Sequence, residues 1–273
     1  MAPSGKATRA LAALGDPLVR ALDYTGGLCH LLAGACHWFT RSIVLRQVRF
    51  GRPAFYSQIV RLGVRSVGVV ALVSSCIGII LALQMAPPLS TYGQTAQVAT
   101  IIAIAVVREL GPLITAIVMT GFAGASIAAE IGTMVVGEEI EALDAMALDP
   151  VRFLVLPRML ASALAVVVLC LLGIWIAIAS GYYVGVHLLD IPAGIYWSNT
   201  LDALDLTDFA TGLWKALVFG ILIAAIACYN GLAVTGGAAG VGRATTNTVV
   251  HSIMLIIFAD LLFTAVFYRL GWT

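Results

Sequence analysis

From Val67 to Ala86 the chain runs for twenty residues without a single charge. About 20 apolar residues are what a helix needs to cross the hydrocarbon core of a bilayer. Four further apolar stretches follow, at Val98–Ala129, Met159–Leu189, Trp214–Val234 and Thr246–Tyr268. With 61% hydrophobic residues, 11% charged residues and a mean hydropathy of +1.02, the chain falls outside the range of soluble domains. The expected fold is an all-α integral membrane protein with five transmembrane helices.

The second stretch needs care. Its 32 residues would make a helix of roughly 48 Å, against a core of ~30 Å. Two spans cannot share a two-residue connection, so Arg108-Glu109 lies within one span, broken or bent near Gly111-Pro112. Pro87-Pro88 is expected to end the first span.

Charge sets the orientation. Nine of the fifteen Lys and Arg precede the first span: Lys6, Arg9, Arg20, Arg41, Arg46, Arg49, Arg52, Arg61 and Arg65. The positive-inside rule then puts the N-terminus in the cytoplasm. Five spans put the 130–158 loop (Arg152, Arg158) and the 235–245 loop (Arg243) inside, and the C-terminus outside, in the periplasm of a bacterial inner membrane. The 190–208 loop, with Asp190, Asp202, Asp205 and Asp208 and no Lys or Arg, faces outward.

Residues 1–66 are read as a cytoplasmic N-terminus and interfacial region, and 67–273 as the membrane domain. Residues 20–50 are apolar but interrupted by Gly, His and Arg. With Trp38 and Phe39 they read as an amphipathic helix in the inner interface. The N-terminus lacks a signal-peptide pattern, so none is expected. A net charge of +1 gives no reason to invoke nucleic acid. Cys29-His30 and Cys36-His37 stand seven residues apart, about 10 Å along a helix, too far for one metal. Five cysteines without CxxC argue against a disulfide framework, and no metal or cofactor is expected.

So apolar a chain nevertheless gathers Glu130, Glu138, Glu139, Glu141, Asp144 and Asp149 into one window. Val136, Ile140, Leu143 and Ala147 recur at helical spacing, with the acids mostly off that face. Asp149-Pro150 closes the pattern. This predicts a short helix within 137–149, either a solvated connector or a docking helix for a soluble partner. Gly121, Ala125, Ala128 and Gly132, then Gly181 and Gly185, form small-residue stripes that suit close helix packing within a bundle or across a dimer.

The stretch "VVRELGPLITAIVMTGFAGASIAAEIGTMVVGEEIEALDAMALDPVRFLVLPRMLA" closely resembles the core of the MlaE/YrbE family, the permease subunits of MCE-type lipid ABC transporters. The later "GVGRATTNTVVHS", followed by Asp260, resembles the same family's C-terminal signature. The resemblance covers residues 15 to 270. It implies an N-terminal interfacial helix, five spans and a homodimer. It also implies a cytoplasmic ABC ATPase dimer on the 137–149 coupling helix, through Glu138, Glu139, Ile140, Glu141, Leu143, Asp144 and Met146. An MCE-domain protein, usually a hexamer, would cap the outer face, and some members carry a STAS-type regulator. Where the family typically has Arg, this chain has Phe122, so no role of that Arg carries over.

Independently of the resemblance, the only two lysines are Lys6 and Lys215, and neither lies in a GxxxxGK[ST] loop. Any ATP hydrolysis must therefore come from another subunit.

Charges inside spans are costly and mark functional positions. Arg108, Glu109, Lys215 and Asp260 are the candidates, and the resemblance associates these positions with a lipid cavity between two subunits. Lys215 and Arg108 would meet a headgroup phosphate, with Glu109 and Asp260 holding the cations. Purely structural ion pairing is the competing reading. Leu81, Leu83, Met85 and Leu89 are candidates for an apolar lining, and Tyr92 for its outer mouth.

The reading that follows is a non-catalytic permease subunit of an ATP-driven lipid transporter, with phospholipid as the default cargo. An ATP-independent channel or secondary carrier is the alternative. A membrane-embedded enzyme is disfavoured by the absence of GxSxG, HExxH and paired carboxylates at helical spacing.

Overall fold

The computed structural model of the chain describes residues 5–44 and 52–272. Arg46 and Arg49 lie outside the described residues, as do the side chains of Lys6, Arg9, Arg20 and Arg52. Among the described residues every regular element is helical. That suits a bilayer, where a helix satisfies its own backbone hydrogen bonds.

The N-terminal helix α1 (Gly5–Phe39) ends in a π-turn, Thr40–Val44. Next come α2 (Arg52–Leu62), one 3₁₀ turn (Val64–Ser66) and α3 (Val67–Thr91). Helices α4 (Gln97–Ala105), α5 (Gly111–Met119) and α6 (Ala125–Val136) follow end to end, joined by π-turns at Val106–Leu110 and Thr120–Gly124. A short α7 (Glu139–Ala145) leads through a π-turn (Val151–Val155) into α8 (Leu156–His187). The chain closes with α9 (Ala193–Asp202), α10 (Leu206–Leu232) and α11 (Gly237–Leu270).

Among the described residues, five helical runs are long and apolar enough to cross a membrane: Phe55–Thr91, Gln97–Val136, Val151–His187, Leu206–Leu232 and Gly237–Leu270. The protein is an all-α integral membrane protein. The runs alternate in direction, so the bundle has two ends. One carries the 137–150 loop and is called the loop end; the other carries α9.

The proline expectations need correction. Pro87 and Pro88 lie inside α3, which continues to Thr91. Each removes one backbone donor. In the last turn the Ser90 and Thr91 hydroxyls donate to the carbonyls of Pro87 and Pro88 at 2.8 and 2.7 Å. Gly111-Pro112 does not break the second run either. The π-turn just before it carries the Gly111 N–H back to the Val106 carbonyl, so the helix widens by one residue and continues. A Cβ at Gly111 would come within 2.6 Å of that carbonyl and of Ile174.

Two stretches read as loops are also helical. The 235–245 segment, glycine-rich and polar, becomes the first turns of α11, so Arg243 sits on a helix. Val241 and Val234 pack over Gly132, and the hydroxyls of Thr245, Thr246 and Thr248 donate back to carbonyls of their own helix. The 190–208 segment contains α9, held by a buried Tyr196 and by Asn199, whose amide donates to the Ala96 carbonyl at 2.9 Å.

Helix α8 is the centre of the bundle, with α2, α3, α5 and α10 packed on it. The small-residue stripes serve packing within the chain. Gly132 meets α10 and α11, and Gly181 and Gly185 face Tyr196. Gly121 faces open space. Helix α11 is peripheral and leaves Met254, Ile257, Phe258, Leu261 and Leu262 exposed.

Candidate functional site

The chemistry near the α9 end is organised by Lys215, on the third turn of α10. Its side chain is only 1% exposed. Its ammonium donates to Glu109 Oε2 at 2.7 Å and to Thr264 Oγ1 at 2.9 Å, and lies 2.9 Å from Asp260 Oδ1. The Thr264 hydroxyl in turn donates to Glu109 Oε1 at 3.0 Å. Three helical runs thus meet at one cation. An ammonium has three donors, and here each has an acceptor within reach.

Arg108 does not join this cluster. Its Nε donates to Asp208 Oδ1 at 2.7 Å. Asp208 is fully buried and also accepts the Asp205 backbone N–H at 3.0 Å, tying off the start of α10. The π-turn carries both Arg108 and Glu109, and α10 crosses it closely at Gly212, where a Cβ would overlap the Val107 carbonyl oxygen. Asp208 and Lys215, seven residues apart, therefore present two polar contacts about 10 Å apart along one face of α10.

Asp208 and Thr264 escaped the sequence reading. Asp208 falls in the segment read as an outer loop, yet it stands two turns from Lys215. Thr264 carries no charge, although it follows Asp260 by one turn. Beside the cluster, a cavity of about 460 Å³ opens at the α9 end, lined by Thr207, Ala210, Thr211, Trp214, Phe267 and Trp272. Thr211 is one turn from Lys215.

The residues offered as an apolar lining do not share one surface. Leu81, Met85 and Leu89 fall at i, i+4 and i+8 and pack against the core. Leu83 lies on the outer face of α3, and Tyr92 is exposed just beyond the helix end. Phe122 is also exposed.

The acidic window divides in two. Glu130 is not part of the loop. It sits on α6 between Arg158 of α8 at 3.0 Å and Arg61 of α2 at 2.8 Å, stapling three runs near the loop end. Arg158 also donates to the Leu154 carbonyl at 2.9 Å. The remaining acids surround α7, which is shorter than the 137–149 expected. Glu138, before its first residue, and Ala147, after its last, both have left-handed backbones, at φ 58° and 57°. Ala147 therefore leaves the expected ridge. Its N–H and that of Leu148 turn back to the carbonyls of Asp144 and Leu143, closing the C-terminus. On α7, Glu139, Glu141 and Asp144 are exposed, Ile140 and Leu143 are half-buried, and Met146 follows exposed at the cap.

The family described as Permease MlaE matches residues 55–266, most of the chain. The chain belongs to the MlaE permease family. Among its relatives is a probable ABC transporter permease protein of Rickettsia prowazekii, 39% identical over 80% of this chain and 85% of that protein. The intermembrane phospholipid transport system permease protein MlaE of Haemophilus influenzae is 33% identical, covering 82% and 87%. The chloroplastic protein trigalactosyldiacylglycerol 1 of Arabidopsis thaliana is 35% identical, covering 78% and 61%. The polar cluster, the π-turn and α7 of this MlaE-family permease all lie inside the matched region.

Proposed function

We propose that this permease is the membrane subunit of an ATP-driven lipid transporter and carries phospholipid between a bacterial inner membrane and an MCE-domain assembly. The loop end faces the cytoplasm and the α9 end the periplasm, as the charge bias of the loops requires. Two copies form the pathway. A separate ABC ATPase dimer docks on α7, whose exposed acids and half-buried Ile140 and Leu143 offer both charge and an apolar ridge. A STAS-type regulator on that ATPase is compatible with this assembly. The division of the chain at residue 66 separates the cytoplasmic and interfacial segment from the transport domain.

The observation that carries the reading is the buried ammonium of Lys215 within an apolar bundle. Desolvating two carboxylates and a lysine costs several kcal/mol per ion before pairing offsets it, so such a cluster marks function in a membrane. Its geometry supports a division of roles. Lys215 gives hydrogen bonds to Glu109 and Thr264 and lies 2.9 Å from Asp260, so it acts as organiser. Arg108, held through Nε among the described residues and 27% exposed, offers its terminal nitrogens to a phosphate. Glu109, 38% exposed, presents a carboxylate to a headgroup ammonium. The neighbouring apolar cavity accepts part of an acyl chain.

The test is purification from native membranes in mild detergent, with identification of co-purifying subunits and an ATPase assay. An ABC ATPase and an MCE protein in fixed ratio, with hydrolysis, are expected. A homo-oligomer without ATPase would return the chain to the channel or carrier class.

A further inference from the structure

The segment that follows α7 is fastened to the N-terminal helix. Asp149 accepts two hydrogen bonds. Its Oδ1 takes the Val151 backbone N–H at 2.8 Å and so caps the run that becomes α8. Its Oδ2 takes the indole N–H of Trp38, on α1, at 2.7 Å. The same indole ring is flanked by the guanidinium groups of Arg41 and Arg152, whose central carbons lie 5.6 and 5.4 Å from its centre. One turn of α1 is thereby bound to the chain just beyond the docking helix.

The connection between α7 and Asp149 has little slack. Met146, Ala147 and Leu148 all return their N–H groups to carbonyls of α7. Displacing α7 therefore displaces Asp149, and the charge-assisted bond to Trp38 carries that displacement to α1. At its other contact α1 is seated on the bundle, with Tyr24 edge-on to Tyr229 of α10 at 5.0 Å and to His251 of α11 at 4.8 Å. Both contacts involve elements of the transport domain. The helix thus bridges the docking segment and the two helices that carry Lys215 and Asp260.

We infer that Trp38 is a positioning residue for transport: its bond to Asp149 latches the N-terminal helix to the motor-docking segment, so that α1 moves with the nucleotide state of the motor. The inference rests on α7 being the docking helix.

Cys36 supplies the probe, since it is exposed on α1 two residues before Trp38. In the purified complex in nanodiscs, its labelling by N-ethylmaleimide is followed by peptide mass spectrometry, nucleotide-free and trapped with ATP and vanadate. The rate is expected to differ between the two states by about fivefold, the lower end of coupling between distant sites. Trp38→Phe keeps an aromatic ring and removes only the N–H. Asp149→Asn keeps an oxygen for the cap and turns an amide toward the indole. Each is expected to erase the nucleotide dependence of Cys36 and to cut lipid moved per ATP by about fivefold, with ATP hydrolysis unchanged. Nucleotide-independent labelling in the unmodified complex overturns the inference. So does a Trp38→Phe protein that keeps both the dependence and the transfer ratio, or one that loses only thermal stability. A preparation with no ATPase sinks the functional reading itself, which separates the two failures.

Discussion

Two ion clusters brace this bundle, one toward each end, and they are built on opposite plans. Near the α9 end a single cation, Lys215, sits between two carboxylates with its side chain 1% exposed. Near the loop end a single carboxylate, Glu130, sits between two arginines, and Arg61 remains 40% exposed. Coulomb attraction is common to both, and each holds one buried cation, since Arg158 is 6% exposed. The Arg61 pair differs: with a 40% exposed guanidinium it contributes about 0–1 kcal/mol and weakens with salt. Breaking a buried pair costs about 3–5 kcal/mol, because a charge is left alone in an apolar surround. An excess cation where helices reach the water is ordinary at a membrane edge. An excess carboxylate around a buried lysine has no such explanation, and that asymmetry supports the proposal that the Lys215 cluster is the site.

The comparison breaks most visibly at Lys215. Lys215→Ala leaves Glu109 and Asp260 together without a cation. Lipid transfer in reconstituted vesicles is expected to be lost, and stability to fall by about 3–5 kcal/mol, read as a lower melting temperature in detergent. Adding Asp260→Asn removes one of the stranded charges. It should recover much of the melting temperature and none of the transfer. Recovery of both would make the cluster a structural lock, as the competing reading holds.

Arg108→Ala is expected to come next. It strips the cation from Asp208, a fully buried carboxylate left with one backbone donor. A loss of about 3 kcal/mol is expected, together with loss of transfer. Arg108→Lys should recover the charge but not the simultaneous reach to Asp208 and a phosphate. A lysine variant with full transfer would remove Arg108 from the headgroup site.

Glu130→Gln should cost less, about 1–3 kcal/mol read as a lower melting temperature, because Arg61 is exposed and the buried Arg158 keeps its bond to the Leu154 carbonyl. Raising ionic strength is expected to narrow the gap between Glu130→Gln and the parent while leaving the Lys215→Ala gap unchanged. Equal salt sensitivity of the two gaps would mean that water reaches both clusters alike.

Much of the architecture was legible because hydropathy reports directly on what a bilayer tolerates. The five spans came from apolar length, and Arg108, Glu109, Lys215 and Asp260 stood out as charges where charges are costly. What hid from the sequence was geometry that one residue cannot announce. The π-turn before Pro112 turns an apparent break into a widened helix, and α3 runs past Pro87-Pro88 to Thr91. Asp208 looked like a loop acid because α10 begins eight residues before the span predicted at Trp214. Glu130 looked like a member of the acidic loop because linear proximity to Glu138 conceals which helix it belongs to. The proposed division of roles between Lys215 and Arg108 rests on which acceptors each cation faces, which spacing in the sequence does not give.

The finest test of the comparison is Thr264. Its hydroxyl accepts from Lys215 and donates to Glu109, joining the cation to the more exposed carboxylate. Valine matches its shape and deletes both bonds. In a hydrated cluster such a change would pass unnoticed, because water would replace the hydroxyl. In a dry one, a donor of Lys215 and an acceptor of Glu109 are left unmet, at a cost of about 1–3 kcal/mol. Glu109 would also lose the bond that orients its free edge toward a headgroup. Thr264→Val is therefore expected to lower the melting temperature slightly and transfer by a small factor, and Thr264→Ser to restore both. A valine variant indistinguishable from the parent would show that water already stands in the cluster, and the contrast between the two ends would then be one of charge sign alone.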